Sequence, residues 1–344
     1  MKLAAARARR LGHAAGGASA RRLSHTAARI GGSASAPIGR EFIGPHPLWL
    51  RSAPADWLRE QLAAHGAIGF RGIQFASPDE LVDFACNFGE PVDVQGKPVQ
   101  LYVSDGRKPA PPEAPPAARG SDLFHSDNSY NAKPAAVTLL YLLEGAHSTC
   151  THLLDAQFAF ETLSDDLKER DSRMPDGLRR SVCEALGVDR LSDLPEGLSA
   201  VHDARSAAAP ATATHPLARA HPTTGKPSLY ISPLYTTALR GAKLEPAAKG
   251  HQAGPAERLL AQLLDHLLLE AHQAPWEWQA PGDLLVIDNA RMLHRGTTRE
   301  MARGLQRRML RVSIAGEAPE RWSRTRSWRR AKAPHPFLDP VGIT

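Results

Sequence analysis

The chain has 344 residues and the composition of an ordinary folded protein, with 42% hydrophobic and 23% charged residues. Its formal net charge of +6 is concentrated in residues 1–35, which carry seven Lys and Arg residues and no acid. Removing those seven charges leaves −1 for residues 36–344, so the body of the protein has no charge that would attract a nucleic acid.

Residues 1–35 are rich in Ala, Arg, Ser and Gly and lack the continuous apolar stretch of a secretory signal. This composition is typical of an organelle transit peptide, so we expect a mitochondrial protein, with plastid or cytoplasm as alternatives. The cysteines, Cys86, Cys150 and Cys183, are odd in number and scattered, which indicates a reducing compartment rather than a disulfide framework. The longest apolar run, Ala135–Leu143, is too short for a membrane span, and we expect none.

The first half of the body predicts short helices alternating with strands. A helix is expected over Asp56–Ala64, ending at Gly66, and a strand over Ala67–Ile73. Ser77-Pro78-Asp79-Glu80 combines a capping Ser, a first-turn Pro and a Glu three residues after the cap, which predicts a second helix running to about Phe88. Pro109–Pro116 is Pro- and Ala-rich and predicts an exposed loop.

The strands of the second half are predicted to be more deeply buried. Pro134–Glu144 is a near-continuous apolar run, typical of a strand covered on both faces. Arg205–Thr214 predicts a loop, and leucines at helical spacing predict an amphipathic helix over residues 255–272. A turn at residues 281–283 leads to the strand Leu284–Asp288, and the last strand is Arg307–Ala315. Composition indicates one domain, residues 36–320, followed by a tail, residues 321–344.

The chain's one His-x-acid triplet, His125-Ser126-Asp127, can present an imidazole and a carboxylate to one ion, because residues i and i+2 of an extended segment project to the same side. Alone, such a triplet is more often a surface pair. A further histidine, His294, follows the strand Leu284–Asp288. Two His and one carboxylate form the facial triad of iron(II) oxygen chemistry, whereas a structural zinc site usually includes Cys.

The last strand carries two arginines on one face. Side chains alternate along a strand, so Arg307, Met309 and Arg311 share a side, and the two arginines lie about 13 Å apart. If this side faces inward, each guanidinium requires an anionic partner, because an unpaired buried cation is costly. Two anionic ligands would supply these partners, and solvated arginines on an edge strand are the alternative.

The order of the motifs resembles the TauD/TfdA family of dioxygenases. The likeness covers most of residues 40–315, through HSD, a Thr-xxx-Asp segment ending in AFETL, PGDLLVIDN-xxxx-H and RRMLRVSI. The early stretch GAIGFRGIQFASPDELVDFACNFGEP and the central stretch HPLARAHPTTGKPSLYISPLYTT also resemble this family.

The resemblance implies a mainly β fold with flanking helices around a double-stranded β-helix (jelly-roll, cupin-like) core. It implies an iron(II)- and 2-oxoglutarate-dependent dioxygenase that uses O2 and releases succinate and CO2. The metal ligands would be His125, Asp127 and His294. Thr151 and Arg307 match the family's 2-oxoglutarate contacts, and Arg311 matches its contact to an acidic substrate group.

The sequence departs from the family at several positions. Phe124 replaces a Trp before the metal His, and Ser148-Thr149-Cys150 replaces the Gly-Gly-Asp before the Thr. Residues 91–107 lack the substrate-binding His of taurine dioxygenase, so we expect a small acidic substrate other than taurine, with a carboxylate preferred over a sulfonate. A non-catalytic cupin-like binding protein and a zinc hydrolase are alternative functions, and a homo-oligomer is left open.

Overall fold

A computed structural model describes residues 26–32, 37–43, 49–93, 96–104, 122–145, 149–163, 198–204, 211–241, 254–296 and 306–323. The strands of these ranges are β1 (Thr26–Gly32), β2 (Pro37–Ile43), β3 (Ala67–Phe70), β4 (Val99–Ser104), β5 (Val137–Glu144), β6 (Thr149–Asp155), β7 (Ser199–Asp203), β8 (Thr212–Pro216), β9 (Ala218–Ala220), β10 (Pro227–Leu229), β11 (Thr236–Arg240), β12 (Gln273–Trp278), β13 (Leu284–Asp288), β14 (Met292–Gly296) and β15 (Arg307–Ile314). The helices are α1 (Ala55–His65), α2 (Pro78–Ala85) and α3 (Pro255–Leu267), with 3-10 turns at Trp49–Ser52 and Glu270–His272 and a helical segment at residues 156–163.

Two sheets pack against each other to form the core. The larger has seven strands in the order β1-β2-β3-β13-β5-β15-β4, and the smaller has the order β12-β6-β14. Leu285 and Ile287 of β13 meet Leu153 of β6 and Trp276 of β12 in one buried cluster between the sheets. This arrangement confirms the predicted mainly β, double-stranded β-helix fold with flanking helices.

Strand β13 explains why continuous apolar runs mark the centre of the sheet. Its alternate residues Leu284 and Val286 face the other way and pack with Leu58 of α1 and Leu81 of α2. Both faces of the strand are therefore covered, and every residue of β13 is buried. Such a strand shows no polar alternation, and a continuous apolar run in the sequence therefore predicts it.

The two predicted N-terminal helices are confirmed, with one shorter than expected. Helix α1 ends at Gly66, whose φ of +73° lies in the left-handed region that favours glycine. Helix α2 begins after Ser77, whose side chain accepts a hydrogen bond from the Glu80 amide. It ends at Ala85 rather than near Phe88, because the chain continues in turns whose amides bond Phe84 and Ala85 carbonyls.

Several other predicted boundaries are wrong. The strand expected over Ala67–Ile73 ends at Phe70. Most of the loop expected over Arg205–Thr214 lies outside the described residues, but its last part is wrong, because β8 begins at Thr212 and pairs with β7. The helix expected over residues 255–272 stops at Leu267 and is followed by a 3-10 turn. The predicted loop Pro109–Pro116 lies outside the described residues.

Strand β1 falls within residues 1–35, the segment assigned to a leader. It pairs along its length with β2 at the edge of the larger sheet. Cleavage after residue 35, the predicted end of the leader, would therefore remove this strand from the sheet. None of the helices in the described part of the chain is long and apolar enough to cross a bilayer.

Candidate active site

A short backbone bridge brings His125 against His294. The His125 amide donates to the His294 carbonyl at 3.0 Å, and the His294 amide donates to the His125 carbonyl at 2.9 Å. Residues opposed in such an antiparallel bridge project their side chains to the same side. The two imidazole rings are therefore adjacent, with centroids 4.5 Å apart.

Asp127 completes a buried three-residue cluster. Its Oδ1 lies 3.7 Å from His125 Nε2 and 3.9 Å from His294 Nε2. One ligand atom from each residue lies within 4.8 Å of the others, and all three residues are buried. The structure thus brings together the three predicted metal ligands.

The protonation states of Asp127 and His294 suit a bound cation. Burial disfavours the charged form of Asp127, but Arg311, the two histidines and a Thr138 hydrogen bond outweigh it and hold the pKa well below its usual range. Burial and the neighbouring His125 lower the pKa of His294 to about 3, so this imidazole is neutral near pH 7. These are the forms in which carboxylate and imidazole bind metals.

The remaining ring nitrogen of His125 is also accounted for. His125 Nδ1 lies 2.8 Å from the Leu123 carbonyl oxygen, which can only accept a hydrogen bond. In a neutral imidazole Nδ1 therefore carries the proton and the lone pair is on Nε2, which lies 3.7 Å from Asp127 Oδ1. A hydrogen bond from the second ring nitrogen is a common way of orienting a metal-binding histidine.

Arg307 is a buried cation that requires an anion. Only 6% of the residue is exposed, and its Nε and Nη1 have no hydrogen-bond partner in the part of the chain that the structure describes. Burial lowers its pKa, which the neighbouring Cys150 partly offsets. Thr151, which follows Cys150 in β6, is buried and accepts a hydrogen bond from Trp278 Nε1 at 3.1 Å. Arg307 thus lies near Cys150, the residue before Thr151 in β6, and a carboxylate would satisfy its buried guanidinium.

Arg311 has a different environment from Arg307. Its Nη1 lies 3.3 Å from Asp127 Oδ1, and its Nη2 donates to Gln100 Oε1 at 2.9 Å. The guanidinium also lies over the Tyr102 ring, 4.8 Å from the centroid. The predicted substrate-binding arginine therefore already contacts a protein carboxylate, although 18% of its side chain is exposed.

Several residues that surround this cluster carry no signal in the sequence. Tyr130 and Tyr235 have ring centroids 5.0 Å apart, and Tyr235 meets the His125 ring edge-on at 5.9 Å. Gln100 lies opposite Arg311 in the register of β4 and β15. No local pattern marks these residues, because only strand pairing and loop packing place them at the site.

The sequence of this chain is similar to those of known dioxygenases. The family model described as taurine catabolism dioxygenase TauD, TfdA family matches residues 31–313. An alpha-ketoglutarate-dependent sulfonate dioxygenase of Saccharomyces cerevisiae is 25% identical over 300 residues, covering 82% of this chain and 66% of that protein. An (S)-phenoxypropionate/alpha-ketoglutarate-dioxygenase of Sphingobium herbicidovorans is 28% identical over 204 residues, covering 58% and 64%. The chain thus spans less than two thirds of either relative.

Two solved structures share the fold. A taurine dioxygenase from Burkholderia xenovorans is 22% identical with a TM-score of 0.61, over 87% of this chain and 93% of that one. The structure of AAD-2 in complex with Mn(II) and N-oxalylglycine is 18% identical with a TM-score of 0.60, over 86% and 98%. At these identities the likeness establishes the fold alone.

Proposed function

This chain belongs to the taurine catabolism dioxygenase TauD, TfdA family, and we propose that it is an iron(II)- and 2-oxoglutarate-dependent dioxygenase that hydroxylates a small acidic compound. The observation that carries the proposal is the buried cluster of His125, Asp127 and His294. Two imidazoles with one carboxylate are the donor set of non-haem iron(II) oxygenases.

The residues present fit both the metal and the cosubstrate. His125, Asp127 and His294 would hold iron(II), and Arg307 with Thr151 would hold the far carboxylate of 2-oxoglutarate. The unpaired Nε and Nη1 of Arg307 support this role, because a guanidinium suits a carboxylate in a two-point contact. When bound, iron(II) and 2-oxoglutarate supply the oxidation, in which O2 is consumed, succinate and CO2 are released and a substrate C–H bond is hydroxylated.

The protein's own part is to bind, orient and exclude water. The three proposed ligands and Arg307 are each less than 10% exposed, so the reacting groups would be largely withdrawn from bulk solvent. A buried arrangement held by a backbone bridge between His125 and His294 also needs little reorganisation before reaction.

Charge balance supports an acidic substrate. Iron(II) and dianionic 2-oxoglutarate cancel each other, and an ionised Asp127 cancels one of the two arginines. One positive charge remains, and Arg311, with its partly exposed side chain, is the group that can direct it to a substrate carboxylate or sulfonate. Both curated relatives are named for acidic compounds, a sulfonate in one and phenoxypropionate in the other. We favour a carboxylate, because residues 91–107 contain no His that could serve as the second contact to a sulfonate.

The test is succinate release from 2-oxoglutarate, screened over small carboxylates, sulfonates and aryloxy acids with and without Fe(II). We expect turnover that requires both Fe(II) and 2-oxoglutarate and is absent in His294→Ala. Binding of metal and 2-oxoglutarate without turnover of any compound would instead support the non-catalytic binding protein. Substrate hydrolysis with Zn(II) in the absence of 2-oxoglutarate would support a zinc hydrolase.

We also propose that residues 1–25 direct the chain to an organelle, with the mitochondrion first. The support is their composition, with six basic residues and no acid. A fluorescent protein carrying residues 1–25 should reach mitochondria, and the same fusion with all six basic residues changed to Gln should not. Diffuse cytosolic fluorescence of both fusions would contradict the proposal.

A further inference from the structure

The two oxygens of Asp127 have different environments. Oδ1 faces the two imidazoles, 3.7 Å from His125 Nε2 and 3.9 Å from His294 Nε2. Oδ2 points the other way and lies 2.6 Å from Thr138 Oγ1. Thr138 lies in β5 and is fully buried. One oxygen is therefore directed to the proposed metal position, and the other is held by a hydroxyl group.

A third residue fixes the direction of this hydrogen bond. The backbone amide of Asp127, which can only donate, lies 3.3 Å from Asn289 Oδ1. The Asn289 side chain must therefore turn its Nδ2 toward Thr138 Oγ1, at 2.8 Å. Since Nδ2 can only donate, the Thr138 oxygen accepts this bond, and the single hydroxyl proton is left to point at Asp127 Oδ2.

The backbone holds both partners in place. Thr138 pairs with Ile287 of β13 on one side and with Ser313 of β15 on the other. The backbone amide of Asn289 donates to the Ala136 carbonyl at 3.0 Å, and the backbone carbonyl of Asn289 accepts from Ser126 Oγ at 3.0 Å. The hydroxyl and the amide thus have little freedom to follow a carboxylate that rotates.

Arg311 competes with the metal position for the orientation of the Asp127 carboxylate. The torsion that turns an Asp carboxylate is soft, and exchanging its two oxygens costs little by itself. Arg311 Nη1 approaches Oδ1 at 3.3 Å and competes for the same oxygen that faces the imidazoles. A hydroxyl fixed on Oδ2 opposes rotation toward the arginine.

We propose that Thr138 and Asn289 are positioning residues that clamp Asp127 Oδ2 and present Oδ1 alone to the metal. The inference rests on the proposed function, because it assigns a role toward the metal that His125, Asp127 and His294 would bind. Neither residue is a ligand. Their effect passes through the orientation of Asp127.

The test is the affinity of the metal-free protein for Mn(II), measured by electron paramagnetic resonance of the unbound ion. Thr138→Val removes the hydroxyl at nearly constant volume and should weaken Mn(II) binding about 10- to 100-fold, the range found for residues that orient metal ligands. Thr138→Ser keeps the hydroxyl and should bind Mn(II) as wild type does. Ser228→Ala is the matched control, since it removes a fully buried hydroxyl that has no hydrogen-bond partner in the described chain.

Equal Mn(II) affinity of wild type and Thr138→Val would overturn the clamp, and so would equal losses in Thr138→Val and Thr138→Ser, which would point to the γ-methyl group. If near-ultraviolet circular dichroism shows that Thr138→Val is not folded, Thr138→Ala takes its place and should weaken Mn(II) binding to the same extent. His125→Ala separates the two proposals. Wild type that binds no Mn(II), or binds it as His125→Ala does, would overturn the metal assignment itself, whereas loss in His125→Ala with no loss in Thr138→Val would overturn the clamp alone.

Discussion

Single side chains decide the electrostatics of this site, because Asp127, Arg307 and Arg311 are all largely withdrawn from water. Asp127 is 3% exposed and Arg307 is 6% exposed. In such surroundings a charge without a partner is costly, so a buried charged side chain that has no partner in the protein indicates a ligand of opposite charge. Asp127 has Arg311 and Thr138, whereas two nitrogens of Arg307 have no partner among the described residues.

His125→Ala, Asp127→Ala and His294→Ala should each remove measurable Fe(II) or Mn(II) binding and abolish turnover, because a facial triad has no ligand to spare. Metal binding by equilibrium dialysis and folding by circular dichroism together check this. Near-wild-type metal binding in any of the three variants would exclude that residue from the triad.

Arg307→Ala should raise the KM for 2-oxoglutarate far more than the KM for substrate. Truncating one partner of a buried charged pair costs about 2–5 kcal/mol, or roughly 30-fold to several thousand-fold in binding. Arg308→Ala is the matched control, because Arg308 forms a half-exposed ion pair with Glu144 on the other face of β15. Steady-state kinetics in both reactants check the prediction, and an unchanged KM for 2-oxoglutarate would assign its carboxylate to another group.

Arg311→Gln should weaken binding of the acidic substrate more than that of 2-oxoglutarate, because it removes the partly exposed cation of the site. Arg311→Lys should recover only part of the loss, since a Lys ammonium lacks the two-point fork. The measurement is the KM for each reactant, together with Mn(II) affinity. If only Mn(II) affinity changes, Arg311 serves Asp127 and does not contact substrate.

At the level of whole elements, the neighbouring strands β5, β13 and β15 carry much of the site. They are adjacent in the larger sheet. Thr138 lies in β5, Asn289 directly follows β13, and Arg307 and Arg311 lie in β15. Helices α1 and α2 cover the face of this sheet turned away from the smaller sheet. These helices stabilise the fold, and neither of them carries a proposed metal, cosubstrate or substrate contact.

Ser77→Ala should therefore lower the free energy of unfolding by about 1 kcal/mol, the usual contribution of a helix N-cap. Ser77→Asp should restore it, since the carboxylate can accept from the same Glu80 amide. Urea denaturation checks both variants. Metal affinity should stay at the wild-type value, and a loss of metal affinity in Ser77→Ala would show that α2 is coupled to the site.

At the level of the whole molecule, stability should fall as the pH drops below about 6.5. Burial is the main cause that lowers the pKa of His65 to about 4 and that of His202 to about 3. Between these values and the ordinary histidine pKa the unfolded chain binds more protons than the folded one, so acid favours unfolding. Each histidine contributes at most about 1.4 kcal/mol per pH unit.

Thermal unfolding of the metal-free protein between pH 7.5 and 4.5 measures this dependence. In the wild-type protein Arg40 donates to His65 Nε2. His65→Gln keeps an acceptor for Arg40 but removes one titrating group, so the melting temperature should depend less on pH. A melting temperature that stays constant over this pH range would contradict the prediction.

The sequence by itself determined the local features of this protein. The cap at Ser77, the glycine at Gly66 and the apolar run of β13 depend on interactions within a few residues, so helices, strands and the buried centre of the sheet could be predicted. The HSD triplet could be recognised for the same reason, because His125 and Asp127 are two residues apart.

Only the tertiary structure decided which distant residues meet. The pairing of His125 with His294, the contact of Arg311 with Asp127 and Gln100, and the hydrogen bond from Asn289 to Thr138 all join segments far apart in the chain. Strand register sets these contacts, and a shift of one residue would turn each side chain to the opposite face. Local patterns do not encode register, which is why the positions around the predicted ligands could not be read from the sequence.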